Sequence, residues 1–161
     1  MIKVIFVAIF SSLFISCQNT DSPILSPAEA IKDFELEEGF TIECVAAEPD
    51  VQDPVAIAFD DDARMWVVEM RGYMPDADGL GETVPNGRIK VLEDQNGDGK
   101  FETVKIIIDS LVLPRAVCPV YDGLLVVEPP YLRFYDRDGK KTRLKTSDYD
   151  WTLDLGNFVD L

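Results

Sequence analysis

From Phe40 onward the chain alternates apolar and polar positions in short bursts, the period-two pattern of half-buried β-strands. Phe40 to Ala46, Val55 to Phe59, Met65 to Met70, Arg88 to Glu93 and Phe101 to Ile108 carry the pattern, most of them bounded by Asp, Asn and Gly. Val55 to Phe59 and Met65 to Met70 read as a hairpin across Asp60-Asp61-Asp62-Ala63-Arg64, whose acid triplet reads as a solvated turn tip. A long polar loop over 74–87 leads to a second hairpin, Arg88 to Glu93 and Phe101 to Ile108, around the turn 94–100.

The pattern then starts again. Pro54 and Pro114 lie 60 positions apart, and Val67-Val68-Glu69 recurs as Val126-Val127-Glu128 at an offset of 59. Ala116 to Val127, Tyr131 to Tyr135 and the turn at Asp136-Arg137-Asp138-Gly139 continue this second unit. The repeat predicts an all-β fold, a partial β-propeller of about two blades over 25–139, with a two-sheet sandwich as the structural rival. The residues from 140 to 161 hold strand-compatible positions without an assignable partner, and read as the start of a further blade.

Only one stretch departs from strand periodicity. Ser26-Pro27-Ala28-Glu29 sets a capping serine, a first-turn proline and a reciprocal glutamate in order, so one short helix is expected from about Pro27 to Phe34. A blade buries its faces only between neighbours, and rings hold about four to eight of them. Two blades alone are therefore expected to be part of a longer ring, with unpaired edges that drive self-association.

The first sixteen residues have one cation, Lys3, and an apolar and hydroxyl run that ends at Ser16-Cys17. This reads as a secretory leader, shorter than a comfortable transmembrane span. Leu13-Phe14-Ile15-Ser16-Cys17 resembles a bacterial lipoprotein cleavage box, which would make Cys17 the acylated N-terminus, 17–24 a tether, and the bacterial cell envelope the location. A plain cleaved leader and an uncleaved anchor are the alternatives.

Charge and composition narrow the partners. Thirty acids against fifteen bases give a net charge of −15, which repels phosphate backbones and makes nucleic acid an unsuitable partner. The chain has no histidine, so the usual general base, the commonest zinc ligand and a CxxCH haem site are all missing from its sequence. Cys44 and Cys118 stand in apolar, strand-like segments, compatible with a disulfide or with two buried thiols.

Two clusters carry candidate chemistry. Within 94–102, Asp94, Asn96, Asp98 and Glu102 place side-chain oxygens at alternate positions, Gly97 and Gly99 permit a tight curl, and Lys100 offers its carbonyl. Hard oxygen donors in that order suit calcium. The helical calcium loop needs an acid at its twelfth position, where Lys105 stands, so a loop between β-strands is the fitting form. A polar hairpin turn with incidental acids is the plain alternative, and Asp136 with Asp138 reads as a degraded second copy. Glu69, Arg71 and Tyr73, where a strand leaves the sheet, form the ligand-binding candidate, against an ordinary ion pair with an aromatic lid.

The segments LSPAEAIKDF, EEGFTIECVAAEP, QDPVAIAFD, MWVVEMRGY, GRIKVLEDQNGDGKFE and DSLVLP resemble the N-terminal propeller domain of a family of membrane-bound dehydrogenases related to glucose/sorbosone dehydrogenases. The resemblance implies a secreted propeller, followed in longer members by helical repeats and a cytochrome c domain. It also implies quinone-dependent sugar or alcohol oxidation with pyrroloquinoline quinone and a histidine base. The chain departs from the family in lacking histidine and CxxCH, in having Ala63 where the family commonly has glycine, and in its tail after Lys140. The expected function is the lipid-anchored N-terminal segment of such an oxidoreductase, not catalytic alone, joined by further blades or by a cytochrome c domain. A non-catalytic, calcium-binding envelope module for saccharide or protein is the alternative.

Replacing Cys17 with alanine is expected to move the protein from the membrane fraction to the soluble envelope fraction, or to leave the leader uncleaved. Fractionation and intact mass check this; an unchanged mass and location would remove the lipid anchor.

Overall fold

The computed structural model describes residues 24–140 and 153–154. The leader, Cys17, all of the tether before Ile24, and most of the tail lie outside the described residues. Among the described residues, no helix is long and apolar enough to cross a membrane.

The chain divides into two compact units between Ile42 and Glu43. In the first, the Ser26 hydroxyl accepts the Glu29 N–H at 3.4 Å, and the Glu29 carboxylate accepts the Ser26 N–H at 2.9 Å. This reciprocal cap opens α1 (Pro27–Ala30), which continues as a 3₁₀ turn, Ile31–Asp33. Neither piece buries a residue, so no packing lengthens the helix beyond its cap.

All the described strands belong to the second unit. β1 (Pro54–Phe59), β2 (Met65–Glu69), β3 (Gly87–Glu93) and β4 (Thr103–Leu111) form one antiparallel sheet in chain order. β5 (Ala116–Val120), β6 (Gly123–Glu128), β7 (Tyr131–Asp136) and β8 (Leu153–Asp154) form the second. The fold is thus all-β: two four-stranded meanders in the manner of propeller blades, preceded by one short helix.

One expectation is corrected: Phe40 to Ala46 forms no strand, although its residues alternate. The segment from Ala116 to Val127 repeats the first hairpin as β5 and β6, joined by a turn at Tyr121-Asp122. Leu153 and Asp154 pair with Leu132 and Tyr131 as the fourth strand of the second sheet, and the rest of the tail from 141 to 161 lies outside the described residues.

The core depends on which faces meet. Ala56, Ala58, Trp66, Val68, Ile89 and Val91 share the back of the first sheet and pack against Val117, Leu124, Val126 and Tyr135. Those four lie on the front of the second sheet, where Val126 occupies the place that Val67 has in the first. The sheets therefore stack back to front, as successive blades do, whereas sheets related by a twofold axis in a sandwich set like faces together. The front of the first sheet holds a smaller cluster, Met65, Val67 and Leu92, covered by Val51. Each fully buried Val, Leu or Ile contributes about 1.5–3 kcal/mol relative to exposure, so the larger cluster is the main source of stability.

The acid triplet is not a solvated tip as a whole. Asp61 and Asp62 are exposed, but the Asp60 side chain is 1% exposed and works as a hub. Its carboxylate accepts the N–H groups of Asp62 and Arg64, the indole N–H of Trp66 at 2.9 Å, and the guanidinium of Arg64 at 2.8 Å. Arg137 of the second sheet reaches the same oxygen at 3.0 Å, so one carboxylate ties the turn, the central core side chain and the neighbouring sheet together. Burial would raise the Asp60 carboxyl, but the Trp66 and Arg64 hydrogen bonds outweigh it and hold the group below the usual carboxylate range.

Asp136 and Asp138, in the connection that leaves β7 as the 94–102 loop leaves β3, share the local hydrogen bonding of the Asp60 turn. Asp136 accepts the N–H groups of Asp138 and Lys140, and the backbone bonds from Asp60 to Arg64 recur from Asp136 to Lys140. The fourth residue of each turn is left-handed, Ala63 at φ 59° and Gly139 at φ 81°. A methyl group on Gly139 would also run into the Ile107 carbonyl of the first sheet, so only there is glycine sterically required.

Replacing Asp60 with asparagine is expected to cost about 3 kcal/mol, because it removes a buried charge partner from two arginines. A carboxyl with a lowered folded pKa contributes stability above its unfolded value, near about 3.9, and loses it as pH falls through the folded value. Urea denaturation at several pH values should therefore show the native chain weakening below about pH 4, with a shallower acid limb in the variant.

Candidate functional site

The loop between β3 and β4 is organised around Asp94. Its carboxylate accepts the N–H groups of Asn96 at 3.2 Å, Gly97 at 2.6 Å and Gly99 at 2.8 Å. Gly97 and Gly99 both have positive φ, 79° and 85°, so the curl depends on the two glycines. The Gly99 N–H first, then those of Gly97 and Asn96, hold the Asp94 carboxyl below its ordinary pKa, against the opposing effect of desolvation. Asp94 is therefore ionised throughout the neutral range.

Further bonds draw the other acids inward. Asn96 donates its amide to Glu102 at 2.7 Å, the Gln95 N–H reaches the other Glu102 oxygen at 3.0 Å, and Asp98 accepts the Lys100 N–H at 2.9 Å. Carboxylate oxygens of Asp94, Asp98 and Glu102 come within 4.8 Å of one another. Three negative charges at that separation repel, and a hard divalent cation relieves the repulsion. The structure thus brings together the proposed carboxylates with Asn96 and Lys100 in one loop.

Glu69, Arg71 and Tyr73 do not stay together. Glu69 is fully buried; its Oε1 accepts the Gln52 N–H at 2.7 Å and pairs with Lys90 at 2.8 Å. Lys90 also donates to the Asp50 carbonyl at 2.7 Å, while Glu69 Oε2 has no protein partner. Arg71 and Tyr73 instead line a cleft of about 430 Å³ with Asp53, Pro54, Val55 and Met70. Tyr73 is exposed and Arg71 half-buried, so a planar cation donor and an aromatic ring line the same cleft.

The Glu69 clamp recurs, and reading the residues in order does not find it. Glu128 accepts the Val112 N–H at 3.0 Å and pairs with Arg133, which also lies 4.5 Å over the Tyr131 ring. Gln52 and Val112 are 60 apart, the same offset as the two prolines. Lys90 stands opposite Val67 and Arg133 opposite Val126, so each cation sits diagonally across from its glutamate. The glutamates were visible as a repeated Val-Val-Glu. Their cations were not, because they follow at 21 residues in one unit and 5 in the other.

Cys44 and Cys118 are both free and exposed. Their thiols hydrogen-bond to the Ala46 and Pro119 carbonyls respectively, so the pair adopts neither of the two arrangements the sequence left open, a disulfide or buried thiols.

Residues 26–145 match the family model described as a domain of unknown function, DUF7133. No curated protein and no solved structure matches the chain.

Replacing Lys90 with methionine is expected to cost about 3–5 kcal/mol, since it leaves a buried carboxylate unpaired. The double variant Glu69→Leu with Lys90→Met should recover most of that loss, as measured by urea denaturation of both proteins. A neutral single variant would remove the clamp's role in folding.

Proposed function

The chain belongs to the DUF7133 family, and on that premise we propose that it contributes a calcium-held, non-catalytic pair of blades to a lipid-anchored envelope oxidoreductase of the propeller type. The observation that carries the scaffold part is the convergence of Asp94, Asp98 and Glu102 within 4.8 Å on a loop shaped by two left-handed glycines. Bound there, calcium would neutralise the three carboxylates and lock the β3–β4 connection, with Asn96 and Lys100 supplying uncharged oxygens. Every other role belongs to the chain itself: Asp60 fixes the hairpin that feeds β2, and Glu69 fixes its far end.

The oxidoreductase part rests on the resemblance of the segments from Leu25 to Gly139, on the back-to-front stacking of two repeated meanders, and on the leader that ends at Cys17. No residue is assigned to pyrroloquinoline quinone. With no histidine in the sequence, proton abstraction from a sugar or alcohol falls to other blades or to a partner such as a cytochrome c domain. The cleft of Arg71 and Tyr73 supports a second reading, an envelope module that holds a saccharide or peptide without transforming it.

Calorimetry of the full chain with calcium should give one site, and calcium at about 100 times its dissociation constant should add about 2.7 kcal/mol to stability. Asp98→Ala should abolish both. Supplied with pyrroloquinoline quinone, calcium and an artificial electron acceptor, the chain alone should turn over none of a panel of sugars and alcohols. An absence of calcium heat would overturn the scaffold reading; steady turnover would overturn the non-catalytic one.

A further inference from the structure

The cleft at the end of the first sheet holds two opposite charges that do not meet. Asp53 and Arg71 both line it, yet among the described residues neither enters an ion pair, with the other or with any neighbour. Arg71 is half-buried, and its field reaches Asp109, whose carboxylate is already bound to Arg88 at 3.2 Å and to the Ser110 N–H. The cleft lies where β2 leaves the sheet, not on the faces against which further blades would stack.

Its walls are tied together from within the protein. The Gln52 N–H donates to the buried Glu69 at 2.7 Å, and the Met70 N–H donates to the Asp53 carbonyl at 3.1 Å, so the segments that carry Asp53 and Arg71 are joined twice. Asp53 has a left-handed backbone, φ 45°, and Gly72 packs against the Asn86 side chain. Charges held in this way need little further ordering when a ligand binds. The volume of about 430 Å³ falls within the range of about 300–1,000 Å³ that small-molecule sites occupy.

Hydrogen-bonding side chains are few in this lining. Besides Asp53 and Arg71 there is only the Tyr73 hydroxyl, and the remaining side chains, Pro54, Val55 and Met70 among them, are apolar. A saccharide carries a hydroxyl on nearly every carbon, and most of these would lose water without finding a partner there. Any neutral ligand would also cover Arg71 without compensating its charge. A molecule with one anionic end, one cationic end and an apolar body meets all of these demands. We propose that the cleft binds a short apolar peptide by both termini, the α-carboxylate on Arg71, the α-ammonium on Asp53, and a side chain against Tyr73 and Val55. Such binding rests on the second reading of the cleft, as the site of a binding module, and selects peptide over saccharide.

Calorimetry of the full chain, purified in detergent, tests this with leucyl-leucine, its C-terminal amide, its N-acetyl form and glucose. Leucyl-leucine should bind, each blocked form at least about 10-fold more weakly, and glucose should give no heat. Arg71→Gln should bring leucyl-leucine down to the affinity of its amide, and Asp53→Asn down to that of the N-acetyl form, because each substitution removes the same charge pair as the matching block. Asparagine tolerates the left-handed backbone at position 53 as aspartate does, and near-UV circular dichroism checks that both variants are folded. Peptide binding that is indifferent to both substitutions overturns the proposal. Glucose bound in place of the peptide, and lost in Arg71→Gln, overturns the peptide assignment while keeping the binding-module reading. An absence of heat with all four compounds overturns both.

Discussion

The second unit is governed by one packing constraint: a meander of four strands has two apolar faces, and a single sheet can cover neither of them. The back of the first sheet meets the front of the second around Trp66, and almost every other feature serves to hold that contact in register. Asp60 binds the Trp66 indole and the Arg137 guanidinium with one oxygen, so the orientation of the central ring and the position of the neighbouring sheet are set together. Gly139 allows the second sheet's turn to press against Ile107, where no side chain would fit. The apolar area supplies the free energy; the polar groups supply its direction.

The glutamates at the ends of β2 and β6 do the same at the opposite end of each sheet. A buried ion pair adds little net stability compared with apolar side chains of equal volume, because desolvation offsets the attraction. Its effect lies in what it forbids. A strand that slipped by one residue would turn Glu69 to the other face, away from Lys90 and the Gln52 N–H, and the cost of that unpaired charge selects the observed register.

Much of the fold could be read directly, because period-two alternation and the repeat offsets report local geometry. β1 to β4, the capping box at Ser26 and the division into two sheets all follow from residues close in sequence. Phe40 to Ala46 misled because alternation signals a strand only where a partner supplies hydrogen bonds, and among the described residues none pairs with it. Asp60 was mistaken for solvent-facing because its partners, Trp66 and Arg137, come from elsewhere; the latter is 77 residues away. The oxygen donors of 94–102 were legible since all lie in one loop. Glu69 was legible as a position but not as a role, because its cation reaches it only through strand pairing.

The long connection over 70–86 distinguishes the first sheet from the second, where Pro129-Pro130 makes the same crossing. It carries the cleft to the end of the sheet marked by Glu69, while the 94–102 loop extends from the other end, beside the Asp60 turn. β3 runs between them, and its seven residues span about 20 Å. No ion held by Asp94 can touch a molecule seated beside Arg71. An ion bound at Asp94 and a molecule seated in the cleft would therefore be separate occupants at opposite ends of one sheet.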